Sequence, residues 1–143
     1  MTPGTRAYEY HHVVGFQDTN FGGNVYFVNP IAWQGRCREM FLRDEAPEVL
    51  GELNRGLHLL TARCSCEYVA ELHAFDRVVV RMRLGGMSLN RIVLGFEYWR
   101  VAESGEELVA RGEQEVVCMR ASAGGASPTP IPESFVRALE RYR

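Results

Sequence analysis

The residue types that could do chemistry in this chain concentrate in one stretch, Phe16 to Leu42, FQDTNFGGNVYFVNPIAWQGRCREMFL. Asp18, Thr19 and Asn20 carry side chains that hydrogen-bond locally and stop a strand, and Gly22 and Gly23 permit backbone angles closed to other residues, so the chain must turn here. Beyond the turn, Trp33, Cys37, Met40 and Phe41 recur at helical spacing and predict one buried face of a helix. Asn29 followed by Pro30 reads as an N-cap with proline at the first helical position. Polar side chains and backbone amides therefore meet at the positive end of a helix. The chemistry that suits such a place is stabilisation of a carbonyl oxygen as it gains negative charge.

Other chemistries find less support. Glu39, on the same helix, is a candidate general base if it can reach an attacking water, although a helical glutamate is ordinarily exposed. His11, His12, His58 and His73 have no nucleophile beside them at a motif spacing, which predicts structural roles. Ser65 lies between two cysteines in a strand and lacks the G-x-S-x-G turn of a serine nucleophile. Cys37, Cys64, Cys66 and Cys118 make no zinc-ligand spacing with the histidines, so no metal and no disulfide is expected and the thiols should be reduced. Arg77, Arg81 and Arg83 share one face of a strand; this is either a solvated face or a surface for an acidic partner and a phosphate.

The elements that must hold these residues follow from periodicity. Residues 7 to 17 alternate as a first strand with Tyr8, Tyr10, His12, Val14 and Phe16 on one side. The helix should end near Asp44, before Ala46-Pro47, with a further turn over Glu48 to Leu53. Leu57 to Leu72 suits a long strand with Leu60, Ala62, Cys64 and Cys66 facing one way and Arg63 the other. Asp76 to Leu84 buries Val78, Val80, Met82 and Leu84, and Arg91 to Val101 buries Ile92, Leu94, Phe96 and Tyr98. A hairpin across Glu103 to Glu106 leads into Leu108 to Met119, Ala121 to Pro130 reads as a loop, and Pro132 to Tyr142 as a short helix. The predicted class is α+β: a five-stranded, largely antiparallel sheet around one long helix, in a single domain over residues 1 to 143. One helix leaves much of such a sheet uncovered, which predicts a homo-oligomer, at least a dimer.

The chain has 143 residues, is 46% hydrophobic and carries a net charge of -2, which fits a domain with a real core. No run of basic residues gives a reason for nucleic-acid binding. The N-terminus lacks the apolar segment of a signal peptide and no apolar run is long enough to span a membrane, so a cytoplasmic protein is expected.

The order of elements, with this loop and helix, resembles the hotdog fold, and the loop resembles the active-site loop of 4-hydroxybenzoyl-CoA thioesterase relatives. NVYFVNPIAWQGRCREMFL followed by ARCSCEYVAEL is similar to the thioesterases that accompany iterative polyketide synthases of enediyne biosynthesis, of the calicheamicin and dynemicin type, over about His11 to Met119. In acyl-CoA relatives the loop commonly follows D-x-D-x-x-G and its second acid acts as nucleophile or base. Here that acid is replaced by Asn20, which cannot accept a proton near neutral pH. The resemblance implies that Asn20 and Arg38 are the catalytic residues, with Arg36 next in line if the register differs. Backbone amides of Asn24, Val25, Tyr26 and Phe27 would then hold the oxyanion. Pro30 stands where those relatives often have a tyrosine.

What the resemblance implies for function is hydrolysis of a β-ketoacyl or polyene thioester. The substrate would be a phosphopantetheine-linked polyketide on the acyl carrier domain of an enediyne polyketide synthase, with decarboxylation of the product to follow. A homo-oligomer, dimer or tetramer, is implied, and no cofactor. Two alternatives stay open: a general acyl-CoA thioesterase with Glu39 or Asp18 as base, and a non-catalytic hotdog protein that binds a synthase and shelters its polyene.

Overall fold

The computed structural model describes residues 6–143, and the part of the leader reading that concerns residues 1–5 lies outside them. Strand β1 (Tyr8–Val13) is followed by a single 3-10 turn at Phe16–Asp18, helix α1 (Asn29–Glu45) and helix α2 (Pro47–Leu53). Strands β2 (Leu57–Tyr68), β3 (Arg77–Met87), β4 (Arg91–Ala102) and β5 (Gly105–Ser122) come next, then a short β6 (Gly125–Pro128) and helix α3 (Glu133–Glu140). All strand pairings are antiparallel, in the order β1-β3-β4-β5-β2, with β6 paired to β5.

The sheet thus has six strands rather than five. Part of the segment expected to be a loop instead continues the ladder: β5 runs on to Ser122, and Gly125, at φ +117, turns the chain so that Ala126 and Ser127 pair back on it. The first strand is shorter than its alternation implies, because Phe16 has left the sheet for the 3-10 turn and is exposed.

Helix α1 lies across one face of the sheet with Trp33, Cys37 and Phe41 buried as their spacing predicts. Opposite them stand Val78, Val80, Met82 and Leu84 of β3 and Ile92, Leu94, Phe96 and Tyr98 of β4, all buried. Val79, on the face read as basic, is buried too. Helix α3 closes the far end: Phe135 and Tyr142 pack on Phe41, with ring centroids 6.4 and 5.7 Å away. Pro47 ends α1 at Glu45 as its missing amide requires, and α2 starts with it.

Strand β2 has a bulge. Thr61 pairs with Val116 and Arg63 with Glu115, leaving Ala62 as an extra residue. The bulge reverses the parity of the strand, so Leu57, Leu59 and Thr61 face α1 before it, and Cys64, Cys66 and Tyr68, paired with inward Gln114, Gly112 and Ala110, face α1 after it. Leu60 therefore points away from the side that Cys64 and Cys66 occupy, and is exposed. No helix among the described residues is long and apolar enough to cross a membrane.

Candidate active site

The loop before α1 is held by its own polar groups. The Asn20 amide donates to the Asn24 carbonyl at 2.9 Å, the Asn20 carbonyl accepts the Gly23 amide at 3.0 Å, and its Oδ1 accepts the Gly22 amide at 2.9 Å. Gly23, at φ +92, supplies the left-handed backbone that closes the turn. Asn20 is thus a turn residue whose Nδ2 makes no hydrogen bond among the described residues and points its donor capacity outward.

Asp18 is buried, with 7% of its surface exposed. Its Oδ2 lies 2.9 Å from His12 Nε2 and accepts the Gly15 amide at 2.9 Å, while His12 packs on Trp33 with centroids 4.6 Å apart. That carboxylate fastens β1 to the loop through His12 and Gly15.

Of the four amides expected to form an oxyanion hole, two are already engaged. Val25 donates to the Leu72 carbonyl at 2.8 Å and Tyr26 to the Asp18 carbonyl at 2.9 Å. The Asn24 and Phe27 amides donate to no group among the described residues, so they alone of the four can take a ligand oxygen. Around them Phe21, Tyr26, Phe27, Val28, Tyr68 and Val69 are exposed, an apolar rim of the kind that a partner covers. Pro30 sits beneath: its carbonyl accepts the Tyr98 hydroxyl at 2.5 Å, and it helps line an apolar cavity of about 30 Å³ with Val25, Tyr68 and Leu72.

Arg38 lies further along α1, on the side that meets β2 and β5. Its Nη1 donates to Thr61 Oγ1 at 3.0 Å and to Gln114 Oε1 at 3.1 Å. Burial lowers its pKa, opposed by the nearby Glu39 charge, and no carboxylate comes within ion-pair distance of it among the described residues. Arg36, by contrast, is exposed and 3.3 Å from Glu39, which settles the register in favour of Arg38 as the sheet-facing arginine. Glu39 is exposed and tied to Arg36, yet it lines, with Arg38, a cavity of about 380 Å³ whose other walls are His58 and Leu42, Leu50, Leu53, Leu57 and Leu59. Neither Asn20 nor any of residues 24–27 lines that cavity. At 1.5 Å per residue, Arg38 stands about 13 Å down the axis from the start of α1, so the loop and the arginine lie apart within this chain.

Three residues of this region gave no functional signal in the sequence. Gln34 is fully buried, donates from Nε2 to the Ser65 carbonyl at 2.9 Å, and leaves its Oε1 without a partner. Gly112 makes room for it: a Cβ there would meet Gln34 Nε2 at 2.2 Å and the Ser65 carbonyl oxygen at 2.5 Å. Gln114, one step of the same strand face beyond, is buried beneath Arg38. The alternation Glu113-Gln114-Glu115 was the available clue, since it sets one amide between two acids on a strand. Of the arginine face on β3, Arg81 is neutralised by Glu9 and Glu106 at 2.8 Å each and Arg83 by Glu97 at 3.1 Å, which weakens the reading of that face as an anion site.

Residues 14–139 match the thioesterase-like superfamily. The chain belongs to that family. Among solved structures it is similar to the dynemicin thioesterase, with 46% identity, a TM-score of 0.93, and coverage of 96% of this chain and 97% of that one. It also shares its fold with a 1,4-dihydroxy-2-naphthoyl-CoA thioesterase from Synechocystis, at 24% identity and a TM-score of 0.80 over 94% of this chain and 96% of that chain. A 4-hydroxybenzoyl-CoA thioesterase aligns at 16% identity and a TM-score of 0.82, over 94% and 99% of the two chains. No curated protein sequence matches. As a thioesterase-like protein with the hotdog arrangement of sheet and helix, the chain is a thioester hydrolase, and its Asn20 and Arg38 fall within the residues matched to the family.

Proposed function

We propose that this hydrolase releases a β-ketoacyl or polyene chain from the phosphopantetheine arm of an acyl carrier domain in an enediyne polyketide synthase. The observation that carries this is Arg38, a half-buried cation with only neutral partners, lining a leucine-walled cavity of about 380 Å³. The 46% identity to the dynemicin thioesterase, described as binding a polyene, supports an extended apolar chain as the occupant. Water adds to the thioester carbonyl, the oxygen becomes an oxyanion facing Arg38, and collapse breaks the C–S bond. The acid leaves and the pantetheine thiol takes the proton. A released β-keto acid then loses carbon dioxide.

Because the loop and Arg38 lie apart in one protomer, the catalytic unit is a homo-oligomer, a dimer or tetramer. In it Asn20 and the Asn24 and Phe27 amides of one copy meet Arg38 of another. The exposed apolar rim around the loop supports this arrangement. No carboxylate is needed as base, since a β-keto thioester is electrophilic enough for slow attack by water or hydroxide held beside fixed positive charge. Glu39, on the same cavity, motivates the second reading, a general acyl-CoA thioesterase with that residue as base.

The test is mass spectrometry of what leaves a loaded cognate synthase with and without the protein, next to a panel of acyl-CoA thioesters. Release of free polyketide or its decarboxylated product only when the protein is added, with the acyl-CoA panel left intact, supports the first reading. Turnover of simple acyl-CoAs that Glu39→Gln abolishes supports the second. A folded protein that leaves carrier-bound product unchanged refutes hydrolysis of this substrate.

A further inference from the structure

Arg38 differs from the arginines around it in the company it keeps. The sequence has no lysine, so its cations apart from any histidine are all arginines, and most of these stand against a carboxylate, as Arg63 does with Glu113 at 2.8 Å and Arg120 with Glu52 at 3.1 Å. Arg38 reaches between helix α1 and the sheet, and both of its acceptors, Thr61 Oγ1 and Gln114 Oε1, are neutral. Gln114 is only 4% exposed, a place where a polar side chain needs a reason. Its neighbours make the choice of an amide informative. Glu113 and Glu115 point to the opposite face of β5, where Arg63 and Arg91 pair with them, so the strand carries acids on its outer side and an amide where it faces Arg38 of α1.

We propose that Gln114 is a positioning residue for hydrolysis: it fixes the Arg38 guanidinium through a neutral acceptor and so leaves its full positive charge available to the oxyanion. A glutamate at the same place would hold Arg38 equally well in geometry, through a stronger charge-assisted bond. It would also cancel the charge that the reaction uses. Thr61 supplies a second neutral contact to the same Nη1, so the nitrogen is held from two strands while the rest of the guanidinium is left for the substrate. The other ionisable side chains near Arg38 are Glu39, exposed and paired with Arg36, and His58 on the cavity wall. This rests on the reading of Arg38 as the cation that faces the oxyanion.

The experiment compares Gln114→Glu, Gln114→Met and Arg38→Ala with the wild type, as the intact oligomer, on a β-ketoacyl pantetheine thioester. Thermal stability is measured on the same samples. Gln114→Glu is expected to lower kcat at neutral pH at least about tenfold, a fraction of the 10²- to 10³-fold loss typical when an oxyanion donor is removed. Its KM should change less than threefold and its melting temperature should not fall. Gln114→Met, which loses the acceptor but adds no charge, should fall between Gln114→Glu and the wild type. A purely structural role for Gln114 predicts instead that activity follows stability, with the apolar variant at least as impaired as the acidic one, and that order overturns the proposal. So does a folded Gln114→Glu with wild-type kcat while Arg38→Ala is impaired. If Arg38→Ala itself retains wild-type kcat, the underlying reading of Arg38 is what has failed, and the proposal falls with it.

Discussion

Replacing Gly112 by alanine tests how closely α1 is set on the sheet. The added Cβ would stand 2.2 Å from Gln34 Nε2 and 2.5 Å from the Ser65 carbonyl oxygen, and the second of these is backbone that cannot swing aside. Overpacking of this kind costs about 1–3 kcal/mol. Pushing Nε2 off the Ser65 carbonyl strands a buried amide whose Oε1 already lacks a partner, at about 1–3 kcal/mol more. Against this, alanine narrows the unfolded ensemble by about 0.4–1 kcal/mol. The balance is a loss of roughly 3 kcal/mol, read as a lower urea midpoint at an unchanged slope and a fixed protein concentration. Gln34→Ala in the Gly112→Ala background should cost less than the two single changes added together, because one of the two clashes has gone. The reasoning is refuted if Gly112→Ala unfolds within about 0.5 kcal/mol of the wild type, or if the double change is strictly additive.

Three other outcomes are expected. Arg38→Ala should lower kcat about 10²- to 10³-fold with folding intact, and Arg38→Lys should not restore it, since a point-like ammonium cannot replace a guanidinium held at one nitrogen and offered at the others; steady-state kinetics decides. Glu45 accepts from the Tyr142 hydroxyl and from Arg141, and these hold its carboxyl below the usual range. Its stabilising effect is therefore present above the ordinary carboxylate pKa and lost as pH falls through the depressed folded value. The melting-temperature gap between wild type and Glu45→Gln should be widest at neutral pH and close in acid. Light scattering at micromolar concentration should show an oligomer, and a monomer with full activity would contradict the shared site.

Much of the fold was legible because apolar periodicity reports burial directly: the stripe Trp33, Cys37, Phe41 and the alternations on β3 and β4 all lie where their spacing puts them. Ala121 to Pro130 misled because small residues and prolines signal turns, whereas β6 needs only backbone pairing and buries no side chain to leave a pattern. Leu60 misled for another reason: strict alternation assumes that every residue is paired, and Ala62 is not. At the site, the resemblance directed attention to Asn20 and Arg38, but residue type alone could not tell that the Tyr26 amide is spent on Asp18 across the loop and the Val25 amide on Leu72, which the fold brings in from the β2–β3 connection. Gln34 and Gly112 were silent because their importance lies in a helix-to-strand distance, whereas Gln114 left one local trace, an amide set between two acids.

The unpaired Ala62 divides β2 into two segments that are out of phase, and both are needed against the same helix. Thr61 reaches Arg38 from the first, while Cys66 and Tyr68 from the second face the start of α1. A strand of this length that kept strict count could present only one of these sets. The extra residue is therefore what keeps both sets on the helix at this length: exchange of Ala62 for serine or valine changes an exposed side chain, pairing it would turn Arg63, Ser65 and Glu67 inward beneath the helix, and its removal would leave Thr61 on Val116 and Arg63 on Glu115 in a regular strand. Homologous chains should accordingly vary freely in identity at this position, and a chain that lacks it should present the same faces of β2 as an unbulged strand.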